Sequence, residues 1–406
     1  MKIGLLSILL CMASVMTLAQ QVIISGMVYD ESSGSKIAQA IITIPGTNIS
    51  IVTNDDGIFT LKTEQLPPAI QVSHIGYKTR YVEISGIPAD NMPIKLTPAT
   101  IVLKEVTIQI NDPEELVRQA LKRIPQNYPR VPELHKGFYR ETAMKRQNFI
   151  YVAEGVIDMY KTDYLRDVSH DLVAIVKGRR LMSTKASDTL GVKVMGGPLL
   201  PIRFDVVKNR DLLFSSEEMV NYKFHMEQPV TIKDRPQLVV GFSPKVELPY
   251  PLFKGLLYID RENLAITRAE FSLDVSDRAK ATRYMLASKP VGVRFNPKGL
   301  SFLIDYHYEN GMTRFCYVRS TFRFNCDWKR RFFATSYTVS SEMVVTDRMN
   351  KDVKPIKGRD TFDSHDSFYD RVDYFLDPDF WEDYNIIEPT ETLDRSIGRL
   401  LKHYVQ

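Results

Sequence analysis

Cysteine is scarce in this chain, and neither sign of charge dominates. Three cysteines in 406 residues are too few for a disulfide-rich scaffold. The 53 basic and 49 acidic residues give a formal net charge of +4, which is too balanced to predict a nucleic-acid partner. Apolar and charged fractions of 44% and 25% are ordinary for a globular protein, and the length predicts about two domains.

Long apolar runs are absent after the first residues, so no later transmembrane helix is expected. Lys2 precedes an apolar run over residues 3–16, and small residues follow up to Ala19. This pattern is typical of a signal peptide over residues 1–19, and it predicts export. As a helix the run would be about 24 Å long, short of a hydrocarbon core of about 30 Å. Leu10 stands before Cys11 where a lipidation site requires a small residue, which disfavours a lipid anchor.

Cys316 and Cys326 remain after cleavage, ten residues apart in one predicted strand. An extended strand would separate them by about 33 Å, whereas bridged Cα atoms lie roughly 5.5 Å apart. No turn-forming residue lies between them, so we predict two buried free thiols.

Motifs that carry chemistry are missing as well. None of the seven histidines begins a His-x-x-Glu or His-Glu-x-x-His motif, so we do not expect a zinc peptidase. Glycine-rich phosphate loops and a Gly-x-Ser-x-Gly turn are absent. Ser364, His365 and Asp366 are chain neighbours, whereas triad residues converge from separated segments, so they predict a polar loop. We expect no catalytic residue, no metal and no cofactor.

What the chain does contain is a series of turn signals between short apolar segments. Residues 22–29 alternate like a strand, and Gly46, Asp56-Gly57 and Gly76 mark later turns. Turn signals every 8 to 12 residues or so predict an antiparallel sandwich. We place it over residues 20–110 and expect residues 102–110 to form its closing strand.

Four of these segments resemble, in order, the carboxypeptidase regulatory-like domain of bacterial envelope proteins. They are residues 26–30, 40–47, 53–59 and 73–77. Lys36-Ile37 stands where that family usually has a proline and an aliphatic residue, a departure confined to one loop. The resemblance implies a transthyretin-like sandwich without catalysis, since the domain is named for its place beside zinc peptidases. It also implies the periplasm or the periplasmic face of the outer membrane.

A helical linker is predicted over residues 111–131. Asp112 can cap a helix, Pro113 suits its first position and Glu115 can complete a capping box. We expect this helix to reach Ile124 and to end at Pro125.

Residues 132–406 predict a larger β-rich domain. Asn310-Gly311 is a strong two-residue hairpin signal. Residues 302, 304, 306 and 308 would form one packed face, and residues 303, 305 and 307 a partly wet one. We predict a mainly β fold, with an antiparallel curved sheet or half-barrel and a C-terminal helix from Thr390. Residues 137–141 and 255–260 resemble uncharacterised envelope proteins, and residues 255–273 weakly resemble the half-barrels of lipoprotein-carrier and lipoprotein-sorting proteins.

An unusually apolar connection lies between predicted strands of this domain. As candidate contacts to an apolar ligand we single out Leu199, Leu200, Leu212, Leu213 and Phe214. A long connection of this kind can cover a binding surface. Ordinary core packing is the alternative interpretation.

Charge is concentrated in three places. Residues 362–388 mix acids with aromatics, which predicts docking onto a core rather than a calcium site. Residues 177–180 and 329–331 are basic clusters. They predict solvated turns, although lipid headgroups or the acidic segment are other possible contacts.

The sequence thus predicts an exported, non-enzymatic binding or scaffold protein of the cell envelope. Its partner would be an apolar ligand, a lipid or a protein segment, with peripheral membrane contact. One alternative is a hydrolase or peptidase accessory whose catalytic groups form no recognisable motif. Another is an accessory to outer-membrane receptors.

Overall fold

The computed structural model describes residues 21–86, 89–99, 112–185, 188, 196–286, 292–328, 334–374, 380–381 and 384–402. In this part of the chain a small two-sheet sandwich is followed by one large sheet. The predicted signal peptide and the predicted closing strand over residues 102–110 lie outside the described residues. The described helices include none with the length and apolar character needed to cross a membrane.

The N-terminal sandwich consists of short strands in two sheets. Its strands are β1 (Val22–Asp30), β2 (Ile41–Thr43), β3 (Ser50–Val52), β4 (Ile58–Thr63), β5 (Ala69–Ser73), β6 (Arg80–Glu83) and β7 (Ala89–Leu96). One sheet has the order β4-β1-β7 and the other β3-β2-β5-β6. The prediction of a purely antiparallel sandwich is wrong for β7, which pairs parallel with β1. The chain reaches β7 from the other sheet, and such a crossover allows parallel pairing.

Alternate residues of these strands fill the sandwich core, as a period of two requires. Ile24, Val28, Phe59 and Leu61 are fully buried. Gly57 has a φ of 73°, and a Cβ there would lie 2.8 Å from the Val28 carbonyl oxygen. The Asp56-Gly57 turn therefore depends on glycine.

The linker contains α1 (Pro113–Lys122) and α2 (Ile124–Asn127). Asp112 caps α1 by accepting from the Glu114 amide at 2.9 Å. Glu115 accepts instead from Gln119. The predicted end of this helix is wrong: α1 ends at Lys122 rather than at Ile124. Pro125 does not terminate it but lies in the first turn of α2, where a missing N–H is tolerated.

The large sheet follows the linker. Its strands are β8 (Glu133–Lys145), β9 (Asn148–Lys161), β10 (Leu172–Met182), β11 (Tyr222–Ile232), β12 (Arg235–Pro244), β13 (Phe253–Asp260), β14 (Ile266–Leu273), β15 (Val293–Glu309), β16 (Met312–Trp328), β17 (Thr335–Met349) and β18 (Asp373–Tyr374). The order is β11-β12-β13-β14-β15-β16-β17-β8-β9-β10-β18, antiparallel except for β18. The fold is therefore mainly β, as predicted. Asn310 and Gly311, both with positive φ, form the predicted hairpin turn.

Short helices lie between the strands and at the end of the chain. They are α3 (Leu199–Arg203), α4 (Ser216–Met219), α5 (Arg278–Met285) and α6 (Glu391–Leu401), with 3₁₀ turns at Val168–His170, Arg210–Leu212, Gly358–Asp360 and Phe368–Arg371. Thr390 caps α6 as predicted. Its residues Leu393, Ile397 and Leu400 pack against Val152 and Leu181 of the sheet.

The two faces of the large sheet are covered by different parts of the chain. On the helical face, Tyr139 and Ile304 belong to a core that includes residues of α1, α2 and the segment 196–219. On the sandwich face, Phe138, Tyr317 and Val344 pack with Val52 of the sandwich. The predicted partly wet face is therefore wrong: the sandwich covers it, and Asp305 and His307 are each only 6% exposed.

Hydrogen bonds fix the sandwich on this face at several points. Ser50 Oγ donates to the Val345 carbonyl at 2.7 Å. Arg319 forms a bidentate pair with Asp55 at 2.6 and 2.8 Å. The Gly76 amide donates to the Thr231 carbonyl at 2.8 Å. The contact between the domains is thus specific as well as apolar.

Cys316 and Cys326 are buried and free. Both lie on β16, so the strand itself holds them apart. The prediction of two buried thiols is confirmed.

The acidic and aromatic segment docks through its aromatic residues, as predicted. Phe362, Phe368 and Trp381 are buried, at 4%, 0% and 6% exposure. Asp363 stays exposed. A glycine on the sheet makes room for one of these rings, since a Cβ on Gly155 would lie 2.7 Å from Phe368 Cζ.

We expect Gly155→Ala to destabilise the protein by about 1 to 2 kcal/mol, because the new methyl group must displace a buried ring. Gly398 provides the control, since it is exposed on α6 with open space around its Cα. Gly398→Ala should stabilise the protein by roughly 0.5 to 1 kcal/mol through helix propensity. Urea unfolding measures both changes. Equal effects of the two variants would contradict the docking described.

Candidate functional site

A polar crevice lies between the sandwich and the large sheet. Residues 73–75, at the end of β5, form its sandwich wall. Lys233, Arg235, Arg268 and His307 are among the residues of the sheet wall. Lys233 and Asp234 are the two-residue turn between β11 and β12, and both have positive φ. Asp234 accepts from the Thr79 amide at 3.0 Å, so this hairpin turn is held against the sandwich.

Two arginines of the crevice are neutralised by carboxylate partners. Arg235 forms a bidentate pair with Asp260 at 2.5 and 2.9 Å. The Nη1 of Arg268 donates to both carboxylate oxygens of Asp305 at 2.9 and 3.1 Å, and its Nε donates to Glu270 at 2.6 Å. These charge-assisted bonds fix the orientations of both arginines. The two carboxylates that line the crevice are therefore already engaged.

Lys233 has no such partner. Its amine contacts His307 Nε2, and it forms no ion pair with a carboxylate of the described residues. Burial lowers the pKa of Lys233 to about 8 against smaller opposing effects of Cys316 and Glu309, and the charge of Arg348 adds a still smaller lowering. The crevice thus contains a cation held in a site that disfavours its charge.

The surroundings of Lys233 do not supply the missing negative charge. Arg348 is buried, and its Nε and Nη1 have no hydrogen-bond partner. Its Nη2 donates to Glu309 at 3.2 Å. One carboxylate thus lies near two cations. A buried excess of positive charge is costly unless an anion enters.

His74 has one ring nitrogen without a hydrogen-bond partner among the described residues. It lines the sandwich wall of the crevice, and its Nδ1 is buried with no hydrogen-bond partner. Burial, with a smaller contribution from the charge of Arg268, lowers the pKa of His74 to about 4. The ring is therefore neutral at pH 7 and can donate or accept one further hydrogen bond.

The free volume of the crevice is about 30 Å³. One water needs roughly 10 to 15 Å³ measured in this way. The crevice therefore has space for two or three non-hydrogen atoms. A functional group fits there, whereas a whole acyl chain does not.

The predicted ligand-binding residues lie elsewhere, on the helical face. Leu213 and Phe214 are buried in the core, at 0% and 4% exposure. Leu199 and Leu212 are half-buried and pack against the same core, and Leu200 is also half-buried. The structure does not bring these five residues to the crevice. Binding of an apolar ligand by them stays a prediction.

The other predicted clusters have structural partners. His365 is exposed and bonds Asp363 rather than Asp366, so the polar-loop interpretation is confirmed. Residues 177–180 lie within β10, so their interpretation as a solvated turn is wrong. Arg179 binds the buried Glu154 at 3.2 Å, and Arg180 stacks on Tyr369 of the acidic and aromatic segment. The basic residues 329–331 lie outside the described residues.

Sequence reasoning missed the crevice residues. The β11–β12 turn carries neither asparagine nor glycine, which are the usual hairpin signals. His74, Lys233 and His307 are far apart in the chain: the fold of the large sheet brings Lys233 to His307, and the docking of the sandwich adds His74. The one local signal for this turn was Asp234, a residue common in turns, directly before the strand-like residues 235–242.

The small domain matches a known family. Residues 24–108 match the CarboxypepD_reg-like domain, so this part of the chain is a carboxypeptidase regulatory-like domain, as the sequence resemblance indicated. Lys36-Ile37 does not disturb it, since Ile37 is buried in the sandwich core. No curated protein matches the chain significantly.

Two solved structures are weakly similar to the chain. One is a domain described as that of an outer membrane lipoprotein-sorting protein from Vibrio parahaemolyticus, with 13% identity, 61% of this chain and 94% of that chain covered, and a TM-score of 0.26. The other is a DUF1329 family protein from Desulfovibrio piger, with 10% identity, 60% and 96% covered, and a TM-score of 0.25. Similarity at this level says nothing about the function of this chain.

Proposed function

We propose that this protein is an exported, non-enzymatic binding protein of the bacterial cell envelope, and that it binds its ligand at the crevice between its two domains. The observation that carries the proposal is Lys233, a cation that lines this crevice and forms no ion pair with a carboxylate of the described chain. Binding sites occur preferentially between domains, where polar groups with perturbed pKa values converge. The periplasm, or the periplasmic face of the outer membrane, is the proposed location.

The small volume of the crevice defines what it would hold. About 30 Å³ accommodates the polar end of a ligand. The remainder of a larger ligand, including any lipid chain, would extend outside. The unpaired Nδ1 of His74 and the Lys233 amine would fix the orientation of the polar end. Such a site recognises a ligand without catalysing a reaction.

Native mass spectrometry of the mature protein, purified from the bacterial envelope in mild detergent, tests this proposal. We expect a discrete ligand mass in addition to the protein. Ile75 is half-buried in the sandwich wall of the crevice. Ile75→Trp should fill the crevice and reduce the bound fraction at least about tenfold. A loss of about 1.4 kcal/mol of binding free energy is enough for a tenfold change.

Tyr81→Trp is the matched control, because Tyr81 is 65% exposed on β6 of the same domain. It should retain the ligand. Full retention by folded Ile75→Trp would exclude the crevice as the binding site. A protein without any bound mass in every preparation would contradict the binding function itself.

A further inference from the structure

We propose that the group bound in the crevice is a single carboxylate, held by the Lys233 ammonium and a hydrogen bond from His74. This inference rests on the proposed function and specifies the chemistry of the ligand. A carboxylate would supply the missing partner of Lys233. It would also accept from the Nδ1–H tautomer of His74, whose Nδ1 has no partner in the part of the chain that the structure describes.

The charge of the lining indicates one negative charge on the ligand. Three cationic side chains, Lys233, Arg235 and Arg268, line the crevice together with two carboxylates, Asp260 and Asp305. Arg235 pairs with Asp260 and Glu262, and Arg268 pairs with Asp305 and Glu270. Lys233 is thus the cation of this lining that has no carboxylate partner among the described residues. An ammonium can only donate, so His307 Nε2 is the acceptor in its contact with Lys233. One unpaired ammonium matches a monoanion better than a phosphate dianion.

The size of the crevice leads to the same ligand class. The free volume of about 30 Å³ has room for about two waters. The three non-hydrogen atoms of a carboxylate need about the same space. A phosphate or sulfate group has five and would extend beyond this volume.

Acetate titration of the purified full-length mature protein at constant ionic strength tests the proposal. We expect acetate to bind with a Kd on the order of millimolar, as its few atoms allow. Lys233→Met should weaken binding at least about tenfold, since a charged hydrogen bond is lost. Lys223→Met is the control on the same hairpin, because Lys223 is exposed on β11. It should bind acetate like the unchanged protein.

The pH dependence provides a second test that needs no variant. The pKa of Lys233 is about 8, so acetate affinity should be constant near pH 7 and fall about tenfold per unit well above pH 8. The other charged or titratable groups facing Lys233 from neighbouring strands are His307, Glu309, Cys316 and Arg348. The pKa of Cys316 is raised to about 12 by burial, so its charge does not change in this range. His74, with its pKa near 4, also keeps its charge.

Three results would overturn the carboxylate assignment. Acetate could bind Lys233→Met as well as it binds the unchanged protein, its affinity could be constant up to pH 10, or phosphate could bind while acetate does not. In each case loss of the native ligand in Ile75→Trp would still support the crevice as the binding site. The two proposals therefore fail separately.

Discussion

Asp205→Asn should destabilise the protein by about 3 to 5 kcal/mol, the loss expected when one partner of a buried ion pair is removed. Asp205 has no exposed surface. Its carboxylate accepts from Tyr306 at 2.8 Å, from Tyr164 at 3.0 Å and from Lys161 at 3.0 Å. An amide cannot balance the charge of Lys161 and has fewer acceptor positions.

The neighbouring groups cannot compensate for this loss. Lys161 and Lys208 both bind Asp171, at 3.3 and 2.5 Å. Two lysines and two aspartates thus form a buried network with no excess charge. Burial and the charge of Lys161 lower the pKa of Lys208. Without Asp205, two ammonium groups would share one carboxylate in a site that water does not reach.

Urea unfolding at pH 7 measures the effect, and Asp211→Asn is the control because Asp211 is exposed six residues away. The control should change stability by less than about 0.5 kcal/mol. Asp205→Asn combined with Lys161→Met removes both charges and should recover much of the loss. A double variant whose loss equals the sum of the single losses would show that the two groups do not interact.

Lys233→Met should have the opposite effect and stabilise the protein at pH 7 by roughly 1 to 3 kcal/mol. The pKa of Lys233 is lowered by burial from its ordinary value of 10.5 to about 8 in the folded state. Each pKa unit of this difference corresponds to about 1.4 kcal/mol of folding free energy. Because the side chain is partly exposed, solvent screening makes the total effect on stability smaller. Methionine has a similar length and no charge to desolvate.

The sign of this effect fixes its pH dependence. Between about pH 8 and 10.5 the unfolded chain binds the Lys233 proton and the folded protein does not. The contribution of Lys233 to stability therefore rises with pH in this window. The advantage of Lys233→Met should be complete below about pH 8 and disappear near pH 10.5. The control Lys223→Met should show no advantage, and a lower stability of Lys233→Met at pH 7 would contradict the account.

Local signals in the sequence predicted local structure well. Asn310-Gly311 and Asp56-Gly57 form the predicted turns, and Asp112 caps the predicted helix. These outcomes depend on φ preferences and on hydrogen bonds within a few residues. The parallel pairing of β7 with β1 was missed because it depends on the path of the chain between two sheets.

Long-range contacts account for the remaining differences. Asp305 and His307 alternate with apolar residues, as on a sheet with one wet face, yet the sandwich covers them. The residue pattern of a strand does not distinguish water from a docked polar surface. For the same reason the crevice was not predicted, since its walls belong to domains whose docking no local pattern encodes. The candidate apolar residues Leu213 and Phe214 are core residues, which matches the alternative interpretation given for them.

The last described segment of the chain returns to the first domain. The side-chain amide of Asn385 exchanges two hydrogen bonds with the Lys62 backbone across 323 positions: its Oδ1 accepts from the Lys62 amide at 2.7 Å, and its Nδ2 donates to the Lys62 carbonyl at 2.9 Å. The Glu391 amide donates to Asp56. The sandwich emerges first during synthesis, but these bonds can form only when almost the whole chain is available. This attachment is consequently a late folding step, and a chain that stops before residue 385 would leave the sandwich without it.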